Sequence, residues 1–182
     1  TTGKLAMLYG TTDVALFDFD ANTGTISGYI NIPLPSLAFG GLEYLSIAFS
    51  PDGTKLYAGG GYGYENQLVQ IDLSNSNTVT TIKTGDGGAS LKLGPDGKIY
   101  GGIMLSTFIG VINSPNNPGL ACSYNPAAIN AGTFVTSFLD FPSTVLPSSQ
   151  RPMMSPSGGR VYCQGHDVAL NVTIIPGITF NW

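Results

Sequence analysis

The sequence is short of charge, and this shortage excludes one class of partner. Charged residues make up 10% of its 182 residues, against about 25% in typical soluble chains. Lys and Arg number 7, Asp and Glu number 11, and the net charge is −4. A surface that binds phosphate backbones needs clustered Lys and Arg. We therefore expect no nucleic-acid partner.

Long hydrophobic runs are also missing. No apolar run approaches the roughly 18 residues of a membrane helix. The longest weakly polar stretch, 99–112, is interrupted by Gly101, Gly102, Ser106 and Thr107. We therefore expect no membrane span.

Histidine occurs once, which leaves little room for the common catalytic arrangements. A Ser-His-Asp hydrolase needs a histidine base, and the one candidate is His166, next to Asp167. Neighbouring residues on a strand point to opposite faces, so Asp167 is badly placed to orient His166. Most acidic residues occupy turn positions, and no carboxylate pair of the glycosidase type is discernible. We expect no catalytic site, no metal and no cofactor.

Glycine and proline, in contrast, are abundant. The chain has 25 Gly and 12 Pro, together with 42% hydrophobic residues. Frequent turn residues between short apolar segments are typical of an all-β protein. The sequence predicts no helix, although 126–130 is compatible with a single helical turn.

An internal repeat determines the fold prediction. Three segments join an apolar strand to a turn of the Pro-Asp-Gly type, followed by a basic residue, an aliphatic residue and Tyr: 47–59, 91–101 and 152–163. Pro presets φ in such a turn, Asp caps it locally, and Gly accepts positive φ. The chain start matches the second half of the motif, so the basic position recurs at Lys4, Lys55, Lys98 and Arg160.

These basic positions are separated by 51, 43 and 62 residues, and four-stranded propeller blades repeat at about 40–50 residues. The repeat therefore predicts a β-propeller with about four blade units in residues 1–182. The predicted strands are 4–9, 14–19 and 25–32; 44–50, 55–60, 67–73 and 78–84; 89–93, 98–104 and 107–113; and 151–154, 159–164, 167–173 and 174–180.

Two irregularities interrupt the repeat. The long last interval predicts an insertion loop, 114–150, between the third and fourth units. The first unit has three strands and lacks an innermost one, which leaves a sheet edge open. We therefore expect the chain to be part of a larger propeller. Its remainder, or a protein partner, would contact the terminal blades around 4–9 and 174–180.

Several segments resemble one family. The stretch 89–125 resembles the propeller region of large bacterial cell-surface proteins that the type IX secretion system exports and that are often called gliding-motility-associated. Its most specific part is Ile112-Asn113 with Pro115-Asn116, followed by Gly119, Cys122 and Tyr124. Segments 14–24 and 45–57 resemble the same family. The resemblance implies secretion, surface display and an adhesive or protein-assembling role without catalysis.

Two alternatives stay open. Lactonase-type propeller enzymes carry similar Ser-Pro-Asp-Gly turns, although the inner strands 45–49 and 91–93 offer few polar residues. The chain is also compatible with a structural subunit of an extracellular assembly whose open ends pair with neighbours.

Two further features are candidate sites. The glycine-rich segment 59–64 carries Tyr62 and Tyr64; it is either a plain hairpin loop or a contact loop, since Tyr on Gly-rich loops is common in binding surfaces. Cys122 and Cys163 are candidates for a disulfide if the insertion folds back over the next blade, and otherwise for two buried thiols. The segment 18–24 superficially resembles a calcium loop, but its spacing fails the EF-hand pattern and favours an Asx-stabilised turn.

Overall fold

The computed structural model describes residues 2–37, 43–61, 66–103, 105–133, 154–156 and 170–172. Within these ranges the regular structure is β-strand, apart from one 3₁₀ turn at Gly119–Cys122. All strand pairs are antiparallel, so the all-β prediction is confirmed. The same ranges contain no helix of the length and apolarity that crossing a membrane requires.

The chain divides into two compact units, Thr1–Phe141 and Pro142–Trp182. The first unit contains three sheets, numbered in chain order. The first sheet has the strands β1 (Thr2–Tyr9), β2 (Asp13–Asp20) and β3 (Thr25–Pro33); the second has β4 (Tyr44–Phe49), β5 (Lys55–Gly60), β6 (Gln67–Asp72) and β7 (Thr78–Thr84); the third has β8 (Ser90–Leu93), β9 (Ile99–Gly102), β10 (Phe108–Ile112) and β11 (Tyr124–Asn130). Each sheet is a simple meander of neighbouring strands.

The second unit is described at two short strands. β12 (Met154–Pro156) pairs with β13 (Leu170–Val172), and Ser155 lies opposite Asn171. The other strands predicted for the fourth repeat lie outside the described residues.

The repeated turns form as their residue types predict. Gly53 and Gly97 have φ of 71° and 77°, the left-handed region that glycine tolerates best. In the β4–β5 turn the Ser50 amide donates to the Lys55 carbonyl at 2.9 Å, and Asp52 accepts from the Thr54 amide at 3.0 Å. These local bonds place the basic residue at or beside the start of the next strand.

The three sheets of the first unit stack face to face. Each strand turns alternate side chains toward the two faces of its sheet, so one sheet can contact a neighbour on either side. One apolar cluster fills the space between the first and second sheets, and another fills the space between the second and third. The first strands of the second and third sheets, β4 and β8, lie side by side. Ser46 of β4 joins them: its hydroxyl donates to the Ala89 carbonyl at 3.0 Å and accepts from the Leu91 amide at 2.7 Å.

The segment 114–150 differs from the predicted insertion. Its described part, 114–133, contains the 3₁₀ turn and then β11, which is the fourth strand of the third sheet. The helical turn considered for 126–130 is wrong, because these residues belong to β11. Pro126 is tolerated there because β11 lies at the edge of its sheet, where a missing N–H breaks no ladder bond.

Candidate functional site

Two equivalent cross-strand ion pairs show which strands of the first and second sheets correspond. Lys55 lies opposite Asp72, and their Nζ and Oδ1 atoms are 3.0 Å apart. Lys4 lies opposite Asp18 in the same way, with 2.6 Å between Nζ and Oδ1. The first pair is nearly buried and the second is more than 40% exposed on both side chains. β1 therefore corresponds to β5, and β2 corresponds to β6.

The same alignment shows which face each sheet turns toward its predecessor. In the second sheet, Leu56 and Ile71 lie opposite each other, are fully buried and pack toward the first sheet. In the third sheet, the corresponding Ile99 and Ile112 are buried toward the second sheet. In both sheets this apolar pair is covered by the sheet that comes before it in the stack.

In the first sheet the corresponding pair is Leu5 and Phe17. Ala6 and Leu8, which alternate with Leu5, pack into the cluster shared with the second sheet, so Leu5 points the other way. Leu5 is 41% exposed. The position that is buried in the later sheets is therefore uncovered here.

We call this uncovered side of the first sheet the outer face. Gly28 (φ 64°) and Tyr29 together oppose Phe17 in a β-bulge, which brings the Tyr29 ring within 5.4 Å of the Phe17 ring, centre to centre. Met7, Tyr9 and Ile26 are each more than half exposed. The outer face consists of Leu5, Met7, Tyr9, Phe17, Phe19, Ile26 and Tyr29.

Among the strands that the structure describes, the outer face adjoins an open strand edge. β1 is the first strand of its sheet, with β2 as its neighbour on one side. The corresponding strands β5 and β9 are each flanked on both sides, because β4 and β8 pair with them. An exposed strand edge presents unpaired N–H and C=O groups to a further strand.

A cleft of about 420 Å³ lies at the end of the same edge. Its polar side chains are engaged: Lys4 pairs with Asp18, and Asp52 accepts from Ser50 at 2.7 Å and from the Thr54 hydroxyl at 2.9 Å. The hydrogen bond from the Thr54 amide is the main cause that lowers the pKa of Asp52, which keeps this carboxylate charged. The cleft is lined by Gly3, Lys4, Asp18, Phe49, Asp52 and Gly53.

A buried polar network joins the second and third sheets, and the sequence alone does not reveal it. Gln70 Nε2 donates to the Tyr57 hydroxyl at 2.6 Å and to the Asn117 carbonyl at 2.8 Å. Gln70 Oε1 accepts from the Gly119 amide at 2.6 Å, and the Tyr57 hydroxyl donates to the Pro115 carbonyl at 2.9 Å. The segment 115–119 therefore serves to attach the third sheet to the second.

Of the predicted cysteine pair, the structure places one member. Cys122 is buried beside Tyr57, and burial raises the pKa of its thiol. Cys163 lies outside the described residues, so the disulfide stays a prediction. Tyr62, Tyr64, His166 and Asp167 lie outside them as well.

The loop compared with calcium sites is an Asx turn, as predicted. The Asn22 amide donates to Asp20 Oδ1 at 2.9 Å, and the Gly24 amide donates to the Asp20 carbonyl at 2.8 Å. In the part of the chain that the structure describes, no three His, Cys, Asp or Glu side chains come together as metal ligands.

A scan against protein-family models finds no matching family, and a search of curated proteins finds no significant match.

The two equivalent ion pairs allow a matched test of stability. Lys55 Nζ also donates to Thr54 and Ser74 hydroxyls at 3.2 Å. We expect Lys55→Met to lower the free energy of unfolding by about 2 kcal/mol, since charged hydrogen bonds contribute about 1.5–3 kcal/mol. The exposed pair contributes little, and Lys4→Met should cost less than about 0.5 kcal/mol. Urea denaturation at pH 7 measures the free energy of unfolding of both variants. Equal losses would contradict the larger contribution expected of the buried Lys55–Asp72 pair.

The difference in the free energy of unfolding between the wild type and Lys55→Met should become smaller at acidic pH. The Ser74 hydroxyl is the main cause that lowers the pKa of Asp72, and Lys55 lowers it further. Such a group stabilises the fold above its unfolded pKa of about 3.9, and this stabilisation is lost as the pH falls through the folded pKa. Removing Lys55 brings the folded pKa of Asp72 closer to the unfolded value, so the variant should lose less stability between pH 7 and pH 3.

Proposed function

We propose that this chain is a non-catalytic β-propeller segment that binds protein through the outer face of its first sheet. The observation that carries the proposal is this face of seven apolar and aromatic residues, on which Leu5 and Phe17 occupy positions that are buried in the second and third sheets. Contiguous exposed apolar patches on soluble proteins mark interaction sites.

The propeller arrangement is supported by three features of the first unit. Repeated antiparallel meanders stack face to face, the repeat length is that of a blade, and β4 and β8 lie side by side as innermost strands of neighbouring blades would. The Pro-Asp-Gly turns at 51–53 and 95–97 each follow the first strand of a sheet, as they do in a radial repeat.

Export and surface display are supported by the resemblance of 14–24, 45–57 and 89–125 to surface propellers of the type IX secretion system. Adhesion and assembly into a surface structure are the two roles that this resemblance implies. Both require a protein-binding surface, and the outer face has the chemistry of one.

The alternative is a lactonase-like enzyme, and the cleft beside Lys4 is the feature that favours it. Its cation is paired with Asp18, and Asp52 uses one carboxylate oxygen to hold its own turn. The Lys4 and Asp52 side chains are therefore explained as groups that stabilise the fold. This makes protein binding better supported than catalysis in the cleft.

Site-specific photocross-linking tests the proposal. A benzophenone amino acid is placed at Tyr29 on the outer face and, as a matched exposed control, at Asn22 in the β2–β3 turn. In cells of the source organism we expect a protein adduct at position 29 and none at 22. Met7→Lys should abolish the adduct while changing the free energy of unfolding by less than about 0.5 kcal/mol, as is usual for a surface substitution.

Two results would overturn the proposed function. One is the absence of any adduct at position 29, or equal adducts at both positions. The other is hydrolysis of a lactone panel by the purified chain that Asp52→Asn removes, because this would assign catalysis to the cleft.

A further inference from the structure

We infer that the partner of the outer face is a further sheet of this same repeat that carries an unpaired innermost strand. The strand would pair along the free edge of β1, and the sheet would lie on the outer face. This inference rests on the proposed function and names the partner of its binding surface.

The chemistry of the partner face follows from the sheets already stacked. Leu56 and Ile71 are covered by small and aliphatic side chains of the first sheet, among them Val14 and Leu16. Ile99 and Ile112 are covered by the second sheet through Tyr57, Leu68 and other residues. The equivalent pair Leu5 and Phe17 presents the same kind of surface, so an apolar sheet face of the same repeat complements it.

The small size of the face favours a contact that also includes the free edge of β1. Three strands spaced about 4.8 Å apart, with eight residues rising about 3.3 Å each, give a face of roughly 14 by 26 Å. A stable interface covers about 800 Å² on each partner, and a footprint of roughly 370 Å² falls short of that. Backbone pairing along β1 adds area and sets the register, as in β-strand addition.

A second copy of the chain fits less well. The innermost strands of its second and third sheets, β4 and β8, are already paired with β5 and β9, and β12 and β13 pair with each other. The strands that the structure describes therefore include no spare innermost strand to offer to β1. A partner sheet that pairs with β1 therefore brings an innermost strand other than β4 and β8.

The repeat itself supplies a direct test. A duplicate of residues 43–97 is joined to Lys4 in place of residues 1–3, so that its final Gly97 precedes Lys4 as Gly97 naturally precedes Lys98. The extension carries a second sheet, a β8 strand and the turn that would lead into β1. Hydrogen exchange is then followed at the amides of residues 5–9.

We expect these amides to exchange at least about tenfold more slowly in the extended chain than in the natural one, because pairing and burial suppress local opening. The matched control carries Leu91→Pro and Leu93→Pro in the duplicate alone. Proline cannot serve in a paired central strand, so the control should exchange as fast as the natural chain.

Unchanged exchange in a folded extended chain would overturn the inference. If the extended chain fails to fold, a fluorescent peptide with the sequence of residues 87–97 is titrated into the natural chain. It should bind saturably, and the same peptide with both prolines should bind at least about tenfold more weakly, because β-strand addition depends on main-chain pairing. Equal binding of the two peptides, or none by either, would also overturn the inference.

The oligomeric state distinguishes a second copy of the chain from the proposed partner of the outer face. If the natural chain sediments as a dimer that Met7→Lys converts to a monomer, the outer face belongs to a second copy and the inference is wrong. If position 29 forms a photocross-link but the extension does not slow amide exchange at residues 5–9, the proposed binding function still holds. In that case only the inference that the partner is a further sheet is wrong.

Discussion

Gln70→Ala is expected to lower the free energy of unfolding by about 3 kcal/mol. Gln70 is 1% exposed, and its amide makes three hydrogen bonds: two join the second sheet to the loop of the third, and one holds Tyr57 within the second sheet. Alanine removes these bonds and leaves the Gly119 amide and the Asn117 carbonyl without that partner. A buried donor or acceptor left unsatisfied costs about 1–3 kcal/mol, so two such groups account for the expected loss. Urea denaturation followed by circular dichroism measures it.

Gln67, three residues earlier on the same strand, provides the control. It is 8% exposed and makes one long bond, 3.3 Å from its Nε2 to the hydroxyl of the exposed Thr81. We expect Gln67→Ala to cost about 1 kcal/mol or less, which is the usual net contribution of one hydrogen bond. If both variants lost the same stability, the inter-sheet network would not be the source of the effect.

Alanine at Gly59 or Gly88 is expected to prevent the second and third sheets from packing. A Cβ on Gly59 would overlap the carbonyl oxygen of Gly88, and a Cβ on Gly88 would lie 2.9 Å from the Cα of Gly101. Both obstacles are backbone atoms, which cannot move aside as a side chain can. We expect each variant to lose more than about 3 kcal/mol, at the upper end of overpacking effects. Soluble yield and the melting temperature report the loss.

Two other glycines, with more space around an added Cβ, serve as comparisons. A Cβ at Gly101 would come within 3.2 Å of the Gly88 Cα, and one at Gly3 would meet nothing closer than 3.9 Å. Gly101→Ala should therefore be intermediate. Gly3→Ala should be neutral or stabilise by about 0.4–1 kcal/mol, because alanine restricts the unfolded chain. A Gly59→Ala variant as stable as Gly3→Ala would show that the sheets do not approach as described.

Sequence patterns predicted most of the strands because the signals that set them are local. In the second and third sheets, Asp and Gly follow the first strand and the basic residue marks the start of the next, and ten described strands of the first unit lie where the repeat predicts them. β11 was missed because Pro126 weakens its strand pattern and because the irregular stretch 113–123 separates it from β10. Its pairing with β10 depends on contacts that no local pattern encodes.

The candidate interface was harder to predict. Leu5 and Leu56 have the same sequence context, a basic residue before and a strand after, yet one is exposed and the other fully buried. The difference arises from whether another sheet covers them, which a strand pattern cannot report. Gln70 likewise resembles an ordinary polar strand residue, and its backbone partners lie 47 and 49 residues further along the chain.

The inter-sheet loop also has a mechanical consequence. The third sheet is tied to the second by hydrogen bonds that span 47 to 64 residues of sequence, reaching from Asn116, Asn117 and Pro115. The first sheet is joined to the second mainly by apolar side chains, with two hydrogen bonds from Tyr44. The second and third sheets share an apolar cluster as well, so the hydrogen bonds between them are an attachment additional to apolar packing. A load applied through a partner on the outer face would therefore detach the first sheet while the second and third stay joined, so that the module yields in steps instead of failing at once.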